Sequence, residues 1–246
     1  LLDNAAQSAA PSITGTPSGT LRFKANEMRL GAGQLRIDRF AAVEINAANG
    51  LIMEGAGSLL AARDVTATTP FVSGTKGATH GITAGGALKL LAPASGAQGP
   101  TDAGLGASLT FQGARLETSS TIALPSGSLR LTATQGDLDL RGALSTAGSS
   151  RTLYEITRHT PAGNISLRSE TGSVNLHANS VVSVAASGPA EAGRLEVAAP
   201  LGQLSLRGTL QGRDAADFSL DAGSLTQFDT LQSALVSGGF NGVQSF

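Results

Sequence analysis

The sequence predicts an all-β parallel β-helix, a solenoid with loop insertions and one short helix. Three observations carry that prediction. A Gly-x-apolar-x-apolar unit recurs along the chain, the unit is doubled at a nine-residue spacing, and apolar residues alternate with polar ones inside each copy.

The doubled units are the strongest signal. Gly127-Ser-Leu-Arg-Leu131 is followed by Gly136-Asp-Leu-Asp-Leu140, Gly163-Asn-Ile-Ser-Leu167 by Gly172-Ser-Val-Asn-Leu176, and Gly193-Arg-Leu-Glu-Val197 by Gly202-Gln-Leu-Ser-Leu206. Single copies begin at Gly19, Gly33 and Gly86, with a looser one at Ser108. Apolar residues two apart give each strand one core face and one wet face. Each unit opens on Gly, which can take the positive φ a corner requires. Strands of about five residues cannot stand alone, and the Asn-Gly or Asp-Gly dipeptides of two-residue hairpins hardly occur between them. Stacking each strand on its equivalent one turn away solves the problem.

A third face, marked by Leu144 after Leu140 and Leu210 after Leu206, completes a coil of roughly 20–30 residues. This predicts about ten coils and a rod on the order of 50 Å long. The doubled units are unevenly spaced, so loops must absorb the difference. Insertions are expected at 66–85, 93–104 and 148–163, all rich in small residues. One segment changes period: Ser224 to Gln227 has capping-box spacing, Leu225, Phe228, Leu231 and Leu235 recur near the helical repeat, and Gly238-Gly239 supplies a stop. A short helix insertion is predicted over 225–237. The whole of 1–246 reads as one β-helix segment of a longer chain, with 1–20 irregular or a partial coil and neither end capped.

Composition narrows the function classes. A net charge of −1 supplies no basic stripe for a phosphate backbone, and with no Trp and one Tyr there are few platforms for stacking bases, so nucleic acid is not an expected partner. The chain has no Cys, which removes disulfides and thiolate metal sites. No stretch approaches the roughly 18 consecutive apolar residues of a membrane-spanning helix.

The doubled strands from Gly127 to Leu206, together with Phe218-Ser-Leu-Asp-Ala-Gly-Ser-Leu-Thr-Gln-Phe228 through Phe240, resemble the C-terminal shaft region of the filamentous haemagglutinin family. These are the very large exoproteins of bacterial two-partner secretion. The resemblance covers about 105–246; before that it is compositional. It implies a right-handed β-helix, export through an outer-membrane pore partner by way of a region outside this sequence, and a secreted or cell-surface location. It further implies adhesion to a host, neighbour-cell or matrix surface, in filaments or biofilm, with self-association open. The asparagine-proline motif of the family's secretion domain is not seen.

Catalytic, cofactor and metal residues are not expected. Asp137 and Asp139, two apart on one strand, point to the same side about 7 Å apart and are the best candidates for a carboxylate pair, but are read as solvated surface residues. Asp214, Asp217 and Asp221 are read in the same way. His80, His159 and His177 are far apart, lack metal-ligand spacing and are read as surface or loop residues. Gly74-Thr-Lys-Gly-Ala-Thr-His-Gly81 only superficially resembles a phosphate loop and is read as a flexible loop. The unusual segment is Arg151-Thr-Leu-Tyr-Glu-Ile-Thr-Arg-His159, which holds the only Tyr, two Arg and a His. A protruding loop on a regular rod is where binding would be placed, so Arg151, Tyr154, Arg158 and His159 form the candidate interaction loop. The function expected is a structural shaft of an adhesive fibre. The alternatives are a polysaccharide-active β-helix enzyme and the stalk of a contact-dependent toxin-delivery protein.

Overall fold

A computed structural model of the chain describes residues 16–94, 103–213 and 215–246. Strands too short to satisfy one another within a coil pair in parallel with their counterparts in the next coil. Three stacks result. The first holds nine rungs, from Gly33–Ile37 through Ala56–Ala61, Thr79–Ala84, Ser108–Gly113, Ser128–Ala133, Asn164–Ser169, 194–199 and Asp217–Ser224 to Gln244–Ser245. The second runs from 20–25 through 42–47, Asp64–Thr68, Leu88–Leu91, Leu116–Thr118, Leu138–Leu140 and Val174–Leu176 to 204–206. The third runs from 27–30 and 50–53 through Phe71–Gly74, Thr121–Ala123, Ala143–Ser145 and Val181–Ser183 to Thr209–Gln211. The chain is therefore a parallel β-helix.

Inside, side chains align in ladders because parallel pairing holds equivalent positions in register. Leu35, Leu59, Ile82, Phe111, Leu131, Leu167, Val197 and Leu220 follow one another up the first stack. Val43, Val65, Leu88, Leu116, Leu138, Val174 and Leu204 do so in the second. They belong to one continuous buried core that runs the length of the described coils. Each fully buried Leu, Ile or Phe contributes about 1.5–3 kcal/mol relative to exposure.

The nine-residue doubling is now explained: it is the walk around one corner, from the first stack to the second within a single coil. Register steps in the second stack, from Val65 to Leu88, Leu116, Leu138 and Val174, are 23, 28, 22 and 36 residues. The longest step contains the 150–159 segment. The third stack skips a rung: Val72 pairs directly with Ile122, although the second stack places Leu88–Leu91 between their coils. The expected insertion at 93–104 falls in the Leu88–Leu91 coil, and its residues 95–102 lie outside the described ones.

The nine rungs of the described residues, at about 4.8 Å each, make a rod of roughly 40 Å, close to the ten coils expected. Two expectations are corrected. The insertion expected at 66–85 is regular coil, with Val72 and Ile82 fully buried. The unit-opening glycines also act differently from the expected way. Positive φ occurs at Gly19 and Gly33, but at none of Gly86, Gly127, Gly136, Gly163, Gly172, Gly193 and Gly202. The last six stack in two columns, and a Cβ on Gly163 or Gly193 would overlap the carbonyl oxygen of Gly127 or Gly163 in the coil beneath. Except at Gly136, where a Cβ would meet the Arg115 side chain, their requirement is close approach of one backbone to another.

The helix spans Phe228–Gly238, a little later than predicted. Its N-cap is Gln227 and carries no side-chain capping bond, so the Ser224 capping-box spacing is unused. The predicted stop holds, since Gly239 adopts φ 76° and its N–H reaches the carbonyls of Leu235 and Val236. Leu231, Leu235 and Phe240 are buried on the core where the third stack ends, so the last described coil is covered on that side.

Candidate functional site

The 150–159 segment leaves the coil as an antiparallel hairpin, Ser150–Leu153 paired with Ile156–His159. The sequence dictates this shape: Arg-Thr-Leu and Ile-Thr-Arg are mirror images about Tyr154-Glu155, so each residue meets its own kind across the ladder. Arg151 faces Arg158, Thr152 faces Thr157 through hydroxyls 2.9 Å apart, and Leu153 faces Ile156. That mirror order was the available signal for a hairpin, and for Leu153 and Ile156 as members of the site; the candidate set omitted both.

Its root is tied down. Thr160 N–H donates to the Ser149 carbonyl at 2.9 Å, Ser149 N–H to Thr160 Oγ1 at 2.9 Å, and Ser126 Oγ to Thr160 Oγ1 at 2.7 Å. His159 Nδ1 lies 3.2 Å from Ser187 Oγ. Its ring covers Gly188, where a Cβ would come within 2.6 Å of Nδ1 and Gly also supplies the positive φ of 57°. His159 is thus a half-buried anchor, while Arg151, Tyr154 and Arg158 are exposed.

Alternation divides the hairpin into two faces. Ser150, Thr152, Thr157 and His159 share the face turned toward the Ser187-Gly188 loop, and Arg151, Leu153, Ile156 and Arg158 share the face turned away. Leu153 and Ile156 remain 54% and 59% exposed, and Tyr154 is fully exposed. Tyr154 also holds φ 55°, a left-handed conformation that costs a residue with a Cβ about 1–2 kcal/mol. That conformation is the one a two-residue hairpin turn requires at its first central position, so the pairing of Leu153 with Ile156 holds it.

Three of the carboxylates considered for catalysis, Asp137, Asp139 and Asp217, have structural partners. Asp137 Oδ1 accepts the Ser173 N–H at 2.8 Å, tying one coil corner to the next; Asp64 does the same for Ala87 and Asp217 for Val243, both at 2.8 Å. Asp139 Oδ1 accepts from Asn175 Nδ2 at 3.2 Å and lies 2.9 Å from His177 Nε2, a ladder along the outer face. Beside them Lys89, Arg115 and Glu117 line an open groove. Asp221 is exposed, and Asp214 lies outside the described residues.

His80 departs from its expected surface position. It lies in the first-stack strand, points inward and is 4% exposed. The register places it above Gly57 and Gly33, where a Cβ on Gly57 would meet its Nε2 at 2.7 Å. Nε2 lies 3.2 Å from the Gly31 carbonyl, and Nδ1 has no partner among the described residues. Burial lowers its pKa from the ordinary 6.5, against the opposing pull of the backbone bond at Gly31. The 74–81 stretch is not a phosphate cradle, because its Thr75, Gly77, Ala78 and Thr79 amides are spent on backbone carbonyls. No family model, curated protein or solved structure matches this chain.

Proposed function

We propose that the chain is a shaft segment of a large secreted or surface-displayed bacterial adhesin, in which stacked coils supply length and the 150–159 hairpin supplies contact with a host, neighbour-cell or matrix surface. The observation that carries this reading is the contrast between the two parts. The coils bury one continuous apolar core and use their polar groups on one another, whereas the hairpin is firmly rooted and exposes two aliphatics, a Tyr and two Arg. Those side chains contribute nothing to the rod. Export through an outer-membrane pore partner and the bacterial surface location belong to the same reading and rest on the family resemblance. No catalytic step is assigned.

The test is attachment of cells and matrix proteins to immobilised protein, comparing the full chain with a variant whose 150–159 segment is replaced by a Gly-Ser link. Loss of attachment with an unchanged melting temperature supports the reading. Equal attachment removes the hairpin from it, and release of new reducing ends or unsaturated products from glycans would favour the enzyme alternative.

A further inference from the structure

We propose that the hairpin binds an extended acidic peptide segment of a partner protein, which adds as a third strand at one edge and brings a carboxylate into reach of the Arg151 and Arg158 guanidiniums. This rests on the reading of the hairpin as a recognition element and names the chemistry of its partner.

The charge arrangement points to an anion. Arg151 and Arg158 are direct cross-strand neighbours, and like charges in that relation destabilise a ladder by roughly 0.2–1 kcal/mol. Among the described residues the arginines at 22, 29, 36, 141, 168 and 194 have a carboxylate within ion-pair distance, and those at 39, 63, 115, 130, 207 and 213 have none. Arg151 and Arg158 also have none among the described residues. What distinguishes them is that two arginines without a carboxylate face each other across one ladder. A carboxylate within reach of the two guanidiniums converts repulsion into charge-assisted hydrogen bonds.

The surrounding surface favours a peptide. The hairpin is a separate two-stranded sheet, so among the described residues both outer edges lack strand partners and can template an added strand. Leu153 and Ile156 lie two residues from the arginines on the same face, about 6.8 Å along the strand. An extended segment carrying an acidic and an apolar residue two positions apart meets both features at once. Glu155 at the tip opposes sinking the hairpin into an anionic bilayer, and a polysaccharide has no backbone amides to match a strand edge.

The probe is a labelled, end-blocked peptide of sequence Thr-Glu-Thr-Val-Thr-Glu-Thr, measured by fluorescence anisotropy against the full chain. The expected result is binding that weakens at least ~10-fold in the Arg151→Gln, Arg158→Gln variant and equally when Gln replaces Glu in the peptide, about 1.4 kcal/mol. Hydrogen exchange should show new protection along one hairpin edge. Binding that ignores either change overturns the proposal. So does an inert peptide alongside arginine-dependent binding of phosphatidylserine vesicles or heparin, which would assign the face to a membrane or a polyanion. Loss of cell attachment on removing the hairpin, with an inert peptide, would leave the adhesive reading standing and sink this one alone.

Discussion

Replacing Gly163 with Ala separates two explanations of the glycine that opens each strand. Its new Cβ would sit 2.7 Å from the Gly127 carbonyl carbon, 2.8 Å from its nitrogen, and closer still to its oxygen. Ordinary contact needs about 3.4 Å or more, so clearing the oxygen requires the two coils to part by roughly 1.5 Å or more at a corner where rungs stand about 4.8 Å apart. The bonds at stake are Asn164 N–H to the Gly127 carbonyl at 3.0 Å and Gly163 N–H to the Thr146 carbonyl at 2.8 Å. Leaving one or two backbone groups unpaired costs about 1–3 kcal/mol each, which sets an expected loss of roughly 2–4 kcal/mol. At about 2–4 °C per kcal/mol for a chain of this size, the melting temperature should fall by roughly 4–16 °C. Gly77→Ala is the control: its φ is 66° with open space around the position, so only left-handed strain of about 1 kcal/mol is expected. Thermal unfolding followed by circular dichroism measures both. A Gly163→Ala protein that melts at or above Gly77→Ala would refute the reasoning.

Other predictions concern the core. Thr118 is fully buried between Leu90 and Leu140 in its ladder, and its hydroxyl has no partner among the described residues, so Thr118→Val should raise the urea midpoint by removing a polar group worth about 1–2 kcal/mol. Leu204→Asp places a carboxylate at a buried ladder position and should cost several kcal/mol; an unaltered melt would mean its inward assignment is wrong. His80 is held neutral by burial, with a folded pKa below 6.5, so the unfolded chain takes up the proton first as the medium acidifies. Its contribution is whole above pH 6.5 and declines as pH falls from there toward the folded pKa. Melting curves across that window should show a steeper loss for the native chain than for His80→Leu, and parallel curves would contradict the assignment.

The coil was legible where Leu, Val or Ile occupied alternate positions behind a glycine, as at Leu129-Leu131 and Val174-Leu176. It was less legible before residue 94, because inward positions there are filled by Ala47, Ala61, Ala67 and Gly74, residues that also populate loops. Small side chains satisfy a narrow interior but leave no hydrophobic alternation to read. His80 was misplaced for a related reason: the room for its ring comes from Gly57, distant in sequence and adjacent only through register. The interaction segment was visible as an oddity of composition, yet its hairpin form lay in the mirror order around Tyr154-Glu155. The anchoring role of His159 depends on Ser187 and Gly188, which only the coil brings near.

Because the chain has no cysteine, its register can be tested without interference. Arg130 and Ser166 are paired, outward-facing neighbours on successive rungs, whereas Arg168 lies one outward position farther along the same strand. Adjacent rungs satisfy the Cα separation of about 4.4–6.8 Å that a disulfide needs, and the diagonal pair exceeds it. Under mild oxidation, the Arg130→Cys, Ser166→Cys protein should form an intramolecular disulfide in high yield, and Arg130→Cys, Arg168→Cys should stay reduced. The reverse outcome, or equal yields, would contradict the in-register parallel stack from which the core, the glycine columns and the hairpin's position all follow.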